Sequence, residues 1–418
     1  MSIGYACLAV GVPGSGMKRT ILKHATEERL LELIGHNLGA LEVLIDYNIR
    51  NGIKLFRISS DLIPFGSSLA YQLPWESAYE ETLNRIGEKI KRSGLRVSLH
   101  PGQYTVLNSP DEGVVERAIL DLEYHARILD ALGTDVSHKL ILHLGGVYGD
   151  KPSAKERFSR NYQRLSSKVK QRLVLENDDR LYTIEDVLEM AARDGIPVAY
   201  DNLHNHVNPS DPRLPDSVWV EAAAATWSAE DGQQKIHYSQ QDPKKKPGAH
   251  SQTIAVDPFL AFYEELDGRR LDIMLEVKDK NISALKCIHV TEDRKVTGLE
   301  QEWARWKYQV LEHSPSAYQA VRTLLKDKQV YSAAEFYRLI ERSQAEDVMP
   351  GHAVNAAQHV WGYFKTKAAA AESKRFAAAL SRLASGEADS TAVKRLLLSL
   401  AKKYEEEYLL SSYYLYMG

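Results

Sequence analysis

The chain has 418 residues, 44% hydrophobic and 26% charged, the balance of an ordinary globular protein but longer than one average domain. A formal net charge of −3 neither advertises nor excludes binding to a polyanion, because a basic face can be local and bound metal ions add positive charge. Two cysteines, Cys7 and Cys287, are too few for a disulfide framework and point to a reducing compartment. No run approaches the roughly 20 apolar residues of a membrane span. Met1–Val10 lacks the basic start and long apolar core of a signal peptide, so a cytoplasmic location is expected.

In chain order, residues 1–290 alternate between short β-type runs and longer helix-type segments. Eight strands are predicted: Ile3–Val10, Lys54–Ser59, Arg96–His100, Lys139–His143, Arg172–Glu176, Pro197–Asp201, Gln234–His237 and Asp272–Glu276. Helical stretches are predicted at Thr26–Asn48, Trp75–Ser93, Glu116–Leu132, Ser153–Lys170 and Thr183–Arg193. Gly52, Gly94, Gly133 and Gly195 sit shortly before strands, where a helix must stop. This alternation argues for a parallel sheet, and eight units suit an α/β fold of the closed (β/α)₈ TIM-barrel type. The alternative is an open doubly wound sheet, but no glycine-rich dinucleotide fingerprint supports it.

After about Gln301 the β runs cease to recur. Helices are predicted at Gln301–Leu311, Ala317–Leu325, Ala333–Ala345 and Ala353–Phe364, with an alanine- and charge-rich stretch at Lys367–Ala384 and an amphipathic one at Ala392–Tyr408. The division expected is a barrel domain over 1–290 and a separate all-α domain over 301–418, with the polar run Thr291–Gly298 between them.

Six of the strands end by changing from apolar residues to a histidine or an acid. These are His100, His143, Glu176, Asp201, His237 and Glu276; His204 follows Asp201 by three residues, and His250 lies in a loop. A barrel carries its active site at the C-terminal ends of its strands, so these residues would converge on one rim. Mixed nitrogen and oxygen donors without nearby cysteines suit Mn²⁺, Zn²⁺ or Fe²⁺. So many donors exceed the needs of one ion and suggest two or three, an arrangement used for in-line phosphoryl displacement. A lone histidine at a strand end is more often structural; the repetition is what argues for a metal site.

Lys235 precedes His237 by two, so both point to the same side of their strand. A lysine aimed into a metal cluster must be neutral or carry a modification that makes it an anion; the plainer reading is a surface lysine. Gln103 and Tyr104, in the loop after His100, form an amide–aromatic pair of the kind that enters a duplex and stacks. The run Lys244-Lys245-Lys246 is either a solvated face or a phosphate contact.

At these residues the chain resembles the ultraviolet damage endonuclease family, relatives of endonuclease IV among metal-dependent barrels. The resemblance spans roughly residues 1–290. It rests on Gly4-Tyr5, Phe56-Arg57-Ile58-Ser59-Ser60-Asp61, Ser98-Leu99-His100-Pro101-Gly102-Gln103-Tyr104, Leu142-His143-Leu144-Gly145-Gly146, Leu175-Glu176-Asn177-Asp178-Asp179, Asp201-Asn202-Leu203-His204 and Lys235-Ile236-His237-Tyr238-Ser239.

The resemblance implies a DNA repair endonuclease that incises the phosphodiester 5′ to ultraviolet photoproducts in double-stranded DNA. The products would be a 3′-hydroxyl and a 5′-phosphate, and in a bacterium the protein would be nucleoid-associated. It implies up to three divalent ions, Mn²⁺ first, with Zn²⁺ or Mg²⁺ as alternatives. Ligands carry over to His100, His143, Glu176, Asp201, His204, His237, His250 and Glu276, with catalysis assigned to Glu176, Asp201, Lys235, His237 and Glu276. Lys235 matches a carboxylated metal-site lysine, and Tyr5, Gln103 and Tyr104 match substrate-contacting residues. Two departures stand out: a histidine expected near Ser68 and an asparagine expected near Ala9 are absent.

The C-terminal part is similar to a YbgA-type domain of unknown function. This rests on His313-Ser314-Pro315, the stretch from Asn355 to Phe364, and the stretch from Tyr408 to Leu415. The same aromatics would also serve a plain helical bundle as core. Two other functional readings belong to different classes: a metal-dependent sugar isomerase or epimerase on the same barrel, and a non-catalytic DNA-damage binding protein.

Overall fold

The computed structural model describes residues 1–292 and 294–417. Eight strands form one parallel sheet: β1 (Ser2–Ala6), β2 (Leu55–Arg57), β3 (Arg96–Ser98), β4 (Leu140–His143), β5 (Leu173–Glu176), β6 (Val198–Asp201), β7 (Lys235–Tyr238) and β8 (Asp272–Leu275). Their order is β3-β2-β1-β8-β7-β6-β5-β4. The two ends meet at a bridge between Leu99 and Leu140, where the Leu99 N–H donates to the Lys139 carbonyl and the Ile141 N–H to the Leu99 carbonyl, each at 3.0 Å. That closes the barrel expected from the strand–helix alternation.

Strand side chains alternate between the barrel interior and the helix layer. Ala6, Leu55 and Met274 pack together, and so do Ile141, Val174 and Ala199. Two residues further along β4, β5 and β6 the same alternation brings up His143, Glu176 and Asp201. Register places His143 opposite Glu176 and Asp201 opposite His237. On β4, β5 and β6 the rim residues therefore sit directly above apolar side chains.

Helix ends follow local chemistry. Thr26, Asp111, Asp150, Ser166 and Thr183 accept hydrogen bonds from backbone N–H groups in the first turns that follow them. Gly52, Gly94 and Gly195 take the left-handed conformation that ends a helix, with φ of 69°, 64° and 71°. Two predicted helices are broken. Trp75–Ser93 becomes Trp75–Ala78 and Glu80–Ser93, because Tyr79 leaves helical geometry and donates its hydroxyl to the Leu31 carbonyl at 2.7 Å. Ser153–Lys170 becomes Lys151–Tyr162 and Ser167–Arg172, because Ser166 starts a new helix.

The chain forms two compact units: Met1–Ala9, Gly14–Ile254 and Ala261–Leu285 make up the first, and Val10–Pro13, Ala255–Leu260 and Lys286–Gly418 the second. The second is helical, with helices Val296–His313, Pro315–Leu324, Ala333–Gln344, Pro350–Trp361, Ala370–Ala384 and Thr391–Lys403. Its core gathers Ala353, Ala357, Val360, Phe364, Phe376, Leu397 and Tyr414. The run Thr291–Gly298 is not purely a polar linker: the helix begins at Val296, whose side chain is itself buried. No described helix is long and apolar enough to cross a membrane.

Candidate metal centre

Glu176, at the end of β5, is the hub of the rim. Its Oε2 lies 3.0 Å from His100 Nε2 and 3.7 Å from His143 Nε2; its Oε1 lies 2.7 Å from His237 Nδ1 and 3.7 Å from His204 Nδ1. Glu276 extends the cluster, 3.4 Å from His237 Nδ1 and 3.6 Å from His250 Nε2. His204 Nδ1 stands 3.8 Å from Asp201 Oδ1. Three donor sets overlap at Glu176: His100 with His143, Asp201 with His204, and His237 with Glu276. The structure thus brings together all eight residues expected as ligands.

Asn177 organises one side of this cluster. It is fully buried, its Nδ2 donates to the Asp201 carbonyl at 3.0 Å, and its Oδ1 accepts the Asp201 N–H at 2.9 Å. The carbonyl of Asn177 lies 2.8 Å from His204 Nδ1, which fixes that imidazole. Asp201 in turn caps the helix Asn202–Val207 through the His204 N–H. Asn177 lies in the Leu175-Glu176-Asn177-Asp178-Asp179 motif, where nothing local in the sequence marks this role.

The electrostatics are those of a site built for cations. Burial alone would raise the Glu176 pKa, yet His237 and His143 outweigh it and hold the carboxyl well below its usual range. Burial likewise opposes ionisation of Glu276, but Arg57 and His237 hold its pKa down. Burial, helped by Glu176 and Glu276, raises Asp201 to about 6. Burial would depress His204, but Asp201, Glu176 and Glu276 push it up to about 9. Buried polar atoms also stand without hydrogen-bond partners among the described residues: Asp201 Oδ2, His237 Nε2 and His143 Nδ1. Spare oxygen and nitrogen donors around crowded carboxylates fit divalent ions of the Mn²⁺ or Zn²⁺ kind.

Lys235 is fully buried on the same side of β7 as His237, and its Nζ has no partner among the described residues. Burial, then Arg96, pushes its pKa well below that of a free lysine, with Arg57 and Lys139 adding to the effect and Asp272 opposing it. Arg57 joins the rim cluster although it was not among the residues expected there. Its Nη1 meets Glu276 Oε1 at 2.5 Å, and both side chains are 11% exposed. An arginine ending the second apolar run, where other runs end in ligands, was the available signal.

Gln103 and Tyr104 are at the tip of a tight turn after His100. The Thr105 N–H donates to the Gly102 carbonyl at 2.9 Å, and the Thr105 hydroxyl donates to Asp121 at 2.6 Å. The Tyr104 ring folds over Gly102, where a Cβ would stand 2.4 Å from the ring. Tyr104 is 72% exposed. Beside the cluster opens a cleft of about 590 Å³ whose walls include Gln103, His143, Tyr148, Arg180, His204 and Lys246.

Tyr5 is a correction. It faces the helix layer, is fully buried, packs edge-on against Phe56, and donates its hydroxyl to Asn48 Oδ1 at 2.9 Å. Strand alternation turns it away from the rim, where a substrate-contacting role was expected, and into the barrel wall. Ser68, where the resemblance led us to expect a histidine, is exposed and turns its hydroxyl back to the Phe65 carbonyl at 3.3 Å.

A family model described as UV-endonuclease UvdE matches residues 2–307, and one described as a protein of unknown function (DUF1722) matches 307–417. A UV DNA damage endonuclease of Clostridium perfringens (strain 13 / Type A) is 40% identical over 347 residues, covering 82% of this chain and 83% of that protein. Another, of Bacillus cereus (strain Q1), is 32% identical over 318 residues, covering 73% of this chain and 99% of that protein. The crystal structure of SacUVDE aligns with a TM-score of 0.66 and 37% identity, over 69% of this chain and 97% of that one. With this match over most of its length, and with the barrel and its rim in place, the chain belongs to the UV-endonuclease UvdE family.

Proposed function

We propose that this protein is a DNA repair endonuclease that incises double-stranded DNA on the 5′ side of ultraviolet photoproducts, with two or three divalent ions, Mn²⁺ first among them, at the Glu176 cluster. The observation that carries this reading is the convergence of His100, His143, Asp201, His204, His237 and Glu276 around one buried carboxylate. The names of the relatives support the choice of substrate. When bound, divalent ions supply Lewis acidity to phosphoryl oxygens and lower the pKa of water.

The chain's own groups do the positioning. Asn177 holds Asp201 and His204 in register, and Arg57 presents a fixed positive charge beside Glu276. Gln103 and Tyr104 would enter the duplex where a lesion has already weakened stacking, so opening it there costs less than in intact DNA. The test is incision of irradiated and intact duplex by metal-stripped protein, with and without added Mn²⁺. Incision should need the ion, spare intact duplex and vanish in Glu276→Gln. Activity that survives both chelation and this substitution would overturn the reading.

Lys235 is proposed to carry a carbamate, formed when its neutral amine adds CO₂ and releases a proton. The amine has no partner, and nearby Arg96, Arg57 and Lys139 favour an anion at that position. Crystallographic density beyond Nζ is the expected result; a plain ordered amine would reject the modification.

A further inference from the structure

Residues 361–403 hold nine lysines and arginines against three acids, a formal net of +6, whereas the whole chain is −3 and its other 375 residues therefore sum to −9. Two helices of this segment, Ala370–Ala384 and Thr391–Lys403, pack against each other. Their inner faces put Phe376, Leu383, Val393, Leu397 and Leu400 into the core. Three of the nine basic residues are engaged: Lys394 is buried on Glu312 at 2.5 Å, Lys403 meets Glu372 at 2.7 Å, and Lys367 pairs with Glu406. The other six, Lys365, Lys374, Arg375, Arg382, Arg395 and Lys402, are exposed and form no ion pair among the described residues.

What lies between them matters as much. The other exposed positions on the two helices are short side chains, such as Ala371, Ala377, Ala378, Ala392 and Ser399. Glu372 is engaged with Lys403, and Glu387 and Asp389 lie in the turn between the helices. An ordinary solvated helix face interleaves both signs of charge, which this one does not. Nor does the segment contain any Asn or Gln, the side chains suited to reading adenine.

We infer that the outer face of this helical hairpin is a second DNA contact, one that grips the duplex phosphate backbone without regard to sequence or damage. The choice of DNA among polyanions rests on the function proposed above. Helices of 15 and 13 residues are about 22 and 20 Å long, the length of about six base pairs of duplex. Short side chains let the backbone approach, and the flanking cations replace its counterions. Tethered to the barrel, such a contact raises the local concentration of DNA at the nuclease without adding specificity.

The test uses the full chain in chelator, so that nothing is cut. Binding to intact and irradiated duplex is followed by fluorescence anisotropy from 50 to 200 mM KCl. The parent is compared with the variant Lys374→Gln, Arg375→Gln, Arg382→Gln, Arg395→Gln, Lys402→Gln. Removing five phosphate contacts should flatten the slope of log K against log salt by about 4 and weaken both duplexes by a similar factor, at least about tenfold at 100 mM. The melting temperature should not move, because all five side chains are exposed. Parent-like slope and affinity in the variant would overturn the inference, as would a loss confined to RNA. If the parent fails to incise irradiated DNA while these substitutions still weaken duplex binding, the proposed nuclease function falls and the DNA contact stands.

Discussion

Glu176 shows how much of a site one residue can organise. It touches four imidazoles, and its burial makes each of those contacts count. Its candidacy as a ligand was legible because it closes an apolar run of strand period. Asn177, its neighbour, was not, because its partners lie 24 and 27 residues away and meet it only across adjacent strands. Replacing Asn177 by Ala should loosen Asp201 and His204 together. Metal affinity should fall by roughly 10- to 100-fold, with a stability loss of about 1–3 kcal/mol for the buried groups left unpaired. Calorimetric Mn²⁺ titration and a melting curve check both; unchanged affinity would show that Asp201 and His204 hold their places without it.

At the scale of elements, the loop after β3 separates His100, in the rim cluster, from Gln103 and Tyr104, the pair proposed to probe the duplex. His100 is committed to Glu176, whereas Gln103 and Tyr104 project from a turn fixed by Thr105 and Gly102. The double substitution Gln103→Ala, Tyr104→Ala should therefore reduce the preference for irradiated over intact duplex while leaving Mn²⁺ affinity close to that of the parent. Equal incision rates for parent and double mutant would count against the wedge role. Sequence periodicity located this loop and most helices, but it did not show the break at Tyr79. At that break the Tyr79 hydroxyl reaches the Leu31 carbonyl in another helix, a contact no local pattern encodes.

For the molecule as a whole, acid lability is the expected consequence of histidines held neutral in each unit. His138, on the barrel, is held down to about 4 by burial, and its Nδ1 accepts the Val97 N–H at 3.0 Å. His289, in the helical unit, is held down to about 3 by burial and sits 2.9 Å from the Tyr337 hydroxyl. A histidine whose folded pKa is depressed gives its full stabilisation above the unfolded value near 6.5 and loses it as pH falls towards the folded value. For His138 the window runs from about pH 6.5 to about pH 4 and involves up to roughly 2–3 kcal/mol. In His138→Asn the melting temperature should fall less steeply across that window than in the parent; parallel curves would remove His138 from the account. By itself the sequence determined the alternation of strands and helices, the histidine or acid closing six of the eight strand runs and the change to an all-helical C-terminal part, because these are matters of local period and residue chemistry. Only the tertiary structure decided that Tyr5 faces the wall, that Arg57 joins Glu276 and that Asn177 clamps Asp201, because side-chain direction and long-range partners are set when the sheet closes.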